Sequence, residues 1–112
     1  MQMSKSLRTG AALLLLSLAA CMSAPDPEQQ GAEMLAEARA LYGQAQYASA
    51  RDTILSMRTR YPMALEARRA AILLMDSIEL QLAKGDTLKQ EFYRRKLAHD
   101  KEQATRNDNE RD

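Results

Sequence analysis

The chain contains one histidine and one cysteine, so its side chains offer few routes to acid–base, nucleophilic or metal chemistry. His99 precedes Asp100, and a neighbouring carboxylate is the kind of group that orients a histidine general base. Adjacent residues on a helix do not face each other, however, and no nucleophile is near in sequence, which favours a solvated histidine. Glu33 and Glu37 share a helix face without any sign of burial in a cleft. The sequence therefore predicts neither an enzyme nor a cofactor, and too few ligands for a metal cluster.

Cys21 is the residue with the most specific chemistry. Residues 1–10 carry Lys5 and Arg8 and no acidic residue, and an apolar run with small residues at its end follows. This is the layout of a secretory signal, and the run of about ten residues is shorter than the roughly 20 of a membrane-spanning helix. Residues 18–21, Leu-Ala-Ala-Cys, resemble the bacterial lipobox, whose cysteine is acylated and becomes the first mature residue.

The lipobox resemblance implies a signal peptide over 1–20 and a protein that is anchored to a bacterial membrane rather than spanning it. One acyl chain holds a protein only reversibly, but a lipoprotein cysteine is expected to carry three, such as palmitate. Met22 stands where Asp retains enteric lipoproteins in the inner membrane, so we expect the outer membrane, on its periplasmic side. Residues 21–30 contain two prolines and are predicted to form an extended, lipidated tether.

The composition after the tether predicts an all-α fold, because strong helix formers dominate and no segment alternates with the period of a strand. Four helices are predicted, over 31–44, 47–60 and 63–83 and from about residue 87 onward. Asp86 or Thr87 is expected to cap the fourth helix, and Gly43 to suit a left-handed or loose cap of the first. The helical domain is predicted over 31–106, with a disordered tail over 107–112. Four methionines are predicted in the core: Met34, Met57, Met63 and Met75.

The near-neutral charge of the chain excludes one large class of partners. The formal net charge is +1, and there is no Trp and a single Phe. Such a composition provides no electrostatic or stacking surface for nucleic acid.

Residues 31–64 fit the helix–turn–helix pattern of the tetratricopeptide repeat, about 34 residues long. Tyr47, Ala50, Ile54 and Pro62 follow each other at offsets of 3, 4 and 8 residues. A small residue is needed where two helices cross closely, large ones beside it, and a proline where the hairpin ends. The sequence thus predicts helical hairpins of this kind.

The Tyr61-Pro62 pair followed by an alanine-rich helix resembles the BamD/YfiO family of outer-membrane assembly lipoproteins, over about residues 31–84. The related periplasmic coordinator CpoB/YbgF of the Tol–Pal system shares this pattern. The resemblance implies stacked helical hairpins and an envelope partner, with the β-barrel assembly machinery as a candidate. Full members of the family carry about five repeats, so this chain is at most a relative of fragment size.

In tetratricopeptide proteins the first helix of each hairpin lines a concave face that holds partner segments. Counting from Gly31, the concave positions of the first unit fall on Leu35, Arg39 and Tyr42. In the second, degenerate unit they fall on Arg69, Leu73 and Asp76. Arginine and tyrosine side chains at these positions are suited to gripping an acidic or extended peptide. Five of the positions are predicted to bind a partner: Arg39, Tyr42, Arg69, Leu73 and Asp76. The alternative is that all of them are ordinary solvated helix positions.

Two classes of function follow from these patterns. The first is a lipid-anchored scaffold that binds another envelope protein through its concave face or its long third helix. The second is a small structural lipoprotein that associates with itself. An accessory of Tol–Pal or cell-wall coordination is a third, with the chemistry of a scaffold but another client. The sequence leaves open whether the fourth helix packs back on the third or pairs with another chain.

Overall fold

The computed structural model describes residues 26–111, and the predicted all-α fold is confirmed there. Four helices and no strand occupy this range: α1 (Pro27–Gly43), α2 (Tyr47–Arg60), α3 (Leu65–Leu82) and α4 (Thr87–Arg111). Each helix packs against the next one, and α1 also packs against α3. The predicted signal peptide, Cys21 and Asp112 lie outside the described residues.

Helix α1 begins inside the segment predicted to be a tether. The Asp26 carboxylate accepts a hydrogen bond of 2.8 Å from the backbone N–H of Gln29, and Pro27 occupies the first helical position. Both features favour helix initiation, because the cap satisfies an unpaired amide and proline has a preset φ. The predicted tether over 21–30 is therefore wrong for residues 27–30, which are helical.

The turn after α1 also differs from the prediction. Gly43 is the last helical residue, and the left-handed residue is Ala45, with φ of 61°. The cap prediction for Gly43 is thus wrong. Helix α2 has the predicted bounds, and three of its residues are completely buried: Ala50, Ile54 and Met57.

A close approach joins α1 to the turn between α2 and α3. A Cβ atom on Gly31 would lie 2.6 Å from the Ala64 Cβ and 3.1 Å from the Ala67 Cβ. Glycine is required here because the two backbones approach too closely for a side chain. Ala38, another small residue of α1, is fully buried. The main core cluster lies among α1, α2 and α3.

Helix α4 packs back on α3 and has no fully buried residue. The backbone N–H of Lys89 donates to the Asp86 carboxylate at 3.1 Å, which confirms the predicted cap. The predicted disordered tail over 107–112 is wrong for residues 107–111, which continue the helix. The Arg111 guanidinium pairs with the Glu66 carboxylate at 3.2 Å, so the end of α4 is fastened to the start of α3.

Met63 departs from the predicted core set. It lies in the turn between α2 and α3 with 70% of its surface exposed, whereas Met57 and Met75 are buried and Met34 packs at the edge of the core. Helical spacing identifies core positions only within helices, and Met63 precedes the first residue of α3.

Candidate functional site

The predicted concave residues of α1 occupy different environments. Leu35 is a core residue, so its prediction as an exposed concave position is wrong. Arg39 is exposed, and Tyr42 is half-buried with its ring packed edge-on against Tyr47 at a centroid distance of 5.4 Å. The Tyr47 contact holds the Tyr42 ring, so Arg39 is the one exposed residue among the three predicted concave positions of α1.

A groove of about 320 Å³ between α3 and α4 brings together two of the predicted partner-binding residues, Arg69 and Leu73. Its apolar walls include Ile72 and Ala104. The Arg69 guanidinium donates to the Glu66 carboxylate at 3.1 Å, across one end of the groove. Because Arg39 and Tyr42 belong to α1, the five predicted residues do not form one site.

Asp76, the fifth predicted partner-binding residue, is not available at the surface. It is 2% exposed, and its Oδ1 lies 2.7 Å from the Lys96 Nζ of α4. Lys96 also contacts the Asp100 Oδ2 at 2.7 Å. The prediction of Asp76 as a partner-binding residue is therefore wrong. A buried carboxylate needs a compensating charge, and α4 provides one at a position where the repeat pattern predicts open solvent.

The Asp76–Lys96–Asp100 cluster contains two carboxyl groups with opposite electrostatic behaviour. Burial, and then the hydrogen bond shared with the Asp100 side chain, raise the pKa of Asp76 above 3.8. Hydrogen bonds from the Asp76 and Lys96 side chains lower the pKa of Asp100 to about 2. Hydrogen bonds to both carboxylates raise the pKa of Lys96. The cluster therefore places the Lys96 cation between two carboxyl groups, and it fastens α4 to α3.

His99 lies closer to Asp100 than the sequence argument expects. Its Nδ1 is 3.3 Å from the Asp100 Oδ1, so the inference that these neighbours do not face each other is wrong. The His99 side chain is mostly exposed. The three grooves that Asp100 lines have no serine, threonine or cysteine among their lining residues. The contact orients the exposed imidazole relative to the Asp100 carboxylate.

Two further chemical features can be stated for residues 26–111. Within this range, no three His, Cys, Asp or Glu side chains are grouped so that they could hold a metal ion. Of the four helices described, none has both the length and the apolar character that crossing a bilayer requires.

Two exposed apolar surfaces were not found by sequence reasoning. At the start of α4, Leu88 is 85% exposed and Phe92, one turn later, is 59% exposed. The Phe92 ring packs edge-on against Tyr93 at 5.0 Å, which limits its freedom. The second surface is the turn between α2 and α3. The sequence contains a signal for the first surface, because the large apolar residues of α4 lie near its start. Helical spacing, however, does not distinguish a buried apolar stripe from an exposed one.

Comparison with protein-family models gives no match for this chain, and comparison with curated proteins and with solved structures gives no significant match either. The resemblance to the BamD/YfiO family therefore remains a prediction from the residue pattern.

Proposed function

We propose that the chain is a lipid-anchored protein of a bacterial envelope whose helical module binds another envelope protein. Cys21 is the proposed attachment site, behind a cleaved signal peptide, and the outer membrane is the proposed location. The resemblance to outer-membrane assembly lipoproteins makes a component of the β-barrel assembly machinery the first candidate partner.

One observation carries the binding role: the uncovered apolar edge at the start of α4. Leu88 and Phe92 lie four residues apart and thus on one helix face. Burying a leucine or phenylalanine fully stabilises an association by about 1.5–3 kcal/mol relative to exposure. Glu91 and Arg95 border the same groove and provide a polar rim. An aromatic anchor with a charged rim is the composition of an interface centre, which favours a protein partner.

The proposed partner element is an amphipathic helix that packs along α4. In helical repeat arrays each unit buries the apolar face of its neighbour, so an uncovered apolar face of a hairpin is where another helix adds. A partner helix would complete this array over Leu88 and Phe92. Arg39, Tyr42, Arg69 and Leu73 stay a secondary proposal as partner contacts, since they lie on other surfaces of the module.

The test is crosslinking and affinity capture of the full-length protein from its own membranes. The decisive variant is Leu88→Ser with Phe92→Ser, and the matched control is Leu55→Ser, which alters an exposed leucine on α2. A Cys21→Ala variant reports on the anchor. We expect one envelope protein to be captured by the wild type and the control, and to be lost at least tenfold with the α4 double variant.

The result separates the proposed scaffold from a self-associating lipoprotein. Recovery of only the protein itself, together with a melting temperature that rises with protein concentration, contradicts the scaffold and favours self-association. Capture that survives the double variant with an unchanged helical circular dichroism spectrum contradicts the role of α4.

A further inference from the structure

The turn between α2 and α3 presents apolar side chains to solvent at one end of the helices. We call it the α2–α3 tip; its members are Tyr61, Pro62, Met63 and Leu65. Met63 is 70% exposed and Leu65 is 54% exposed. Met63 is larger and more apolar than a solvated turn requires, because turns are typically built from Gly, Pro, Asn, Asp and Ser. Leu65 is the first residue of α3, and its side chain is at the surface.

Two arginines flank the tip. The Arg60 Cζ lies 5.7 Å from the centroid of the Tyr61 ring, and the Arg68 Nη1 donates to the Pro62 carbonyl at 2.6 Å. Neither guanidinium forms a salt bridge with a carboxylate within residues 26–111. The tip therefore combines exposed apolar groups with cations that are available to an external anion.

Two acidic side chains at this end, Glu28 and Glu66, are already engaged. Glu28 accepts hydrogen bonds of 3.0 Å from the backbone N–H groups of Glu66 and Ala67, at the start of α3. The Glu66 carboxylate pairs with Arg69 at 3.1 Å and with Arg111 at 3.2 Å. These contacts reduce the repulsion that the carboxylates would exert on a phosphate placed against the tip.

The start of α1 lies at the same end of the molecule. Besides the Glu28 contacts, the Tyr61 hydroxyl donates to the Gln30 side chain. Cys21 precedes Asp26 by five residues in the sequence. Five residues span at most about 18 Å even when fully extended, so a lipid on Cys21 keeps this end close to the bilayer.

We infer that the α2–α3 tip rests on the phospholipid surface that holds Cys21. The Met63 and Leu65 side chains enter the boundary between headgroups and acyl chains, and Arg60 and Arg68 bind lipid phosphate oxygens. An anionic bilayer surface attracts each arginine, and the apolar side chains add to this attraction. This inference rests on the proposed lipid attachment and adds an orientation to it.

The orientation has a consequence for the proposed partner surface. Helix α3 starts at the tip and has 18 residues, which corresponds to about 27 Å at 1.5 Å per residue. Leu88 and Phe92 follow the other end of α3. A module that stands on its tip therefore holds the α4 edge away from the lipid and accessible to a soluble or membrane-bound partner.

The test uses the lipidated full-length protein reconstituted in vesicles of phosphatidylethanolamine and phosphatidylglycerol. Met63→Cys carries an environment-sensitive fluorophore, and Leu88→Cys, at the other end, is the matched control. The chain has one cysteine, which is acylated in this form, so the engineered cysteine is the single unmodified thiol. We expect nitroxide-labelled phospholipids to quench the label at position 63 at least threefold more than the label at position 88.

Flotation with the vesicles is measured in parallel and separates the two possible failures. A protein that does not float contradicts the lipid attachment and, with it, this inference. If the protein floats but both labels are quenched equally and as weakly as a label in water, the tip contact is overturned and the anchor is left intact. Burial of the position-63 label in native membranes, but not in vesicles that contain no other protein, also overturns the tip contact, because another protein then covers the tip.

A second pair of variants tests the contribution of the cations. Arg60→Gln with Arg68→Gln is expected to reduce quenching at position 63 in the mixed vesicles. In vesicles of zwitterionic lipid alone the same variants should change quenching much less. Equal quenching with and without the arginines in both lipids would remove the electrostatic part of the inference.

Discussion

The two hairpins of this protein are held together by different chemistry. In the first, α1 and α2 bury small and large apolar residues against each other: Leu35, Ala38, Ala50, Ile54 and Met57. In the second, α4 has no fully buried residue, and its specific contacts with α3 are ionic. They are the Asp76–Lys96–Asp100 cluster, in which Asp76 is the buried member, and the Arg111–Glu66 pair. Apolar packing is insensitive to pH, whereas an ionic cluster depends on protonation and on salt. The first hairpin is thus the stable base, and the second is the part that conditions can loosen.

The largest effect is expected from a cavity in the first hairpin. Ile54 is completely buried, and Ile54→Ala should lower the free energy of unfolding by about 2–5 kcal/mol through lost burial and the residual cavity. The matched control is Leu55→Ala, because Leu55 is the exposed neighbour on the same helix. Urea unfolding of both variants checks the prediction. A loss under about 1 kcal/mol for Ile54→Ala would contradict the description of this core as closely packed.

A smaller effect is expected from removing the cation of the second hairpin. Lys96→Met leaves the Asp76 carboxyl buried without its partner, which should cost about 1–2 kcal/mol. The value lies below that of a fully buried ion pair because Lys96 is 42% exposed and water screens it. Lys101→Met is the control, on the exposed side of the same helix. Hydrogen exchange should show faster opening of α4 with little change in α2; equal exchange in both helices would refute the separation of the hairpins.

The accuracy of the sequence-based predictions also differs between the two hairpins, because apolar packing is local in the first and ionic contacts in the second join distant residues. The bounds of α2 are predicted correctly because a local apolar seam and Pro62 determine them. The burial of Asp76 is missed because its partner Lys96 lies 20 residues away. The end of α4 is missed for a similar reason, since Arg111 and Glu66 are 45 residues apart. Contacts between distant charged residues leave no periodic pattern.

The candidate surfaces show the same limit from the other side. Leu88 and Met63 have large apolar side chains of the kind found in protein cores, and only the structure shows that they lie at the surface. Arg39 and Arg69 are predicted as exposed and are exposed, because charged residues on a helix seldom have another option. The sequence identifies which residues are charged or apolar, but the packing of α4 decides which of them a partner can reach.

The pH dependence of stability is expected to distinguish the ionic second hairpin from the apolar first one. The pKa of Asp100 is about 2 in the folded protein against 3.8 for the free side chain, so its stabilisation is present above pH 3.8 and is lost as the pH falls towards 2. The advantage of the wild type over Asp100→Asn should therefore shrink between about pH 5 and pH 2.5. The asparagine keeps a hydrogen-bond acceptor, so the effect at neutral pH should be below that of Lys96→Met.

The stability contributed by Asp76 is expected to change with pH in the opposite direction, which provides an internal control. Its pKa is raised by burial, so the stability that its protonated form contributes is complete below pH 3.8 and is lost as the pH rises through the raised value. The advantage of the wild type over Asp76→Asn should thus be greatest in acid. Urea titrations at a series of pH values check both variants. Parallel profiles for the two would contradict the different environments of these carboxyl groups.

The smallest effect concerns the turns that close the two hairpins. Ala45 adopts φ of 61° in the first turn, and Gly85 adopts φ of 92° in the second. A left-handed conformation costs an alanine about 1 kcal/mol, whereas glycine adopts it without a Cβ penalty. Ala45→Gly should therefore stabilise the protein by about 0.5–1 kcal/mol, and Gly85→Ala should destabilise it by about 1 kcal/mol. A Cβ at position 85 would meet no atom within 4 Å, so this change tests the backbone alone.

The control for this exchange is Ala40→Gly, on the exposed face of α1, where glycine should cost about 0.5–1 kcal/mol. Thermal unfolding of the three variants is sufficient, since the expected signs differ. A destabilising Ala45→Gly would mean that the first turn depends on the Ala45 side chain. The left-handed backbone at Ala45 would then carry no penalty that glycine relieves, and a penalty for a Cβ atom would remain a feature of the second turn alone, at Gly85.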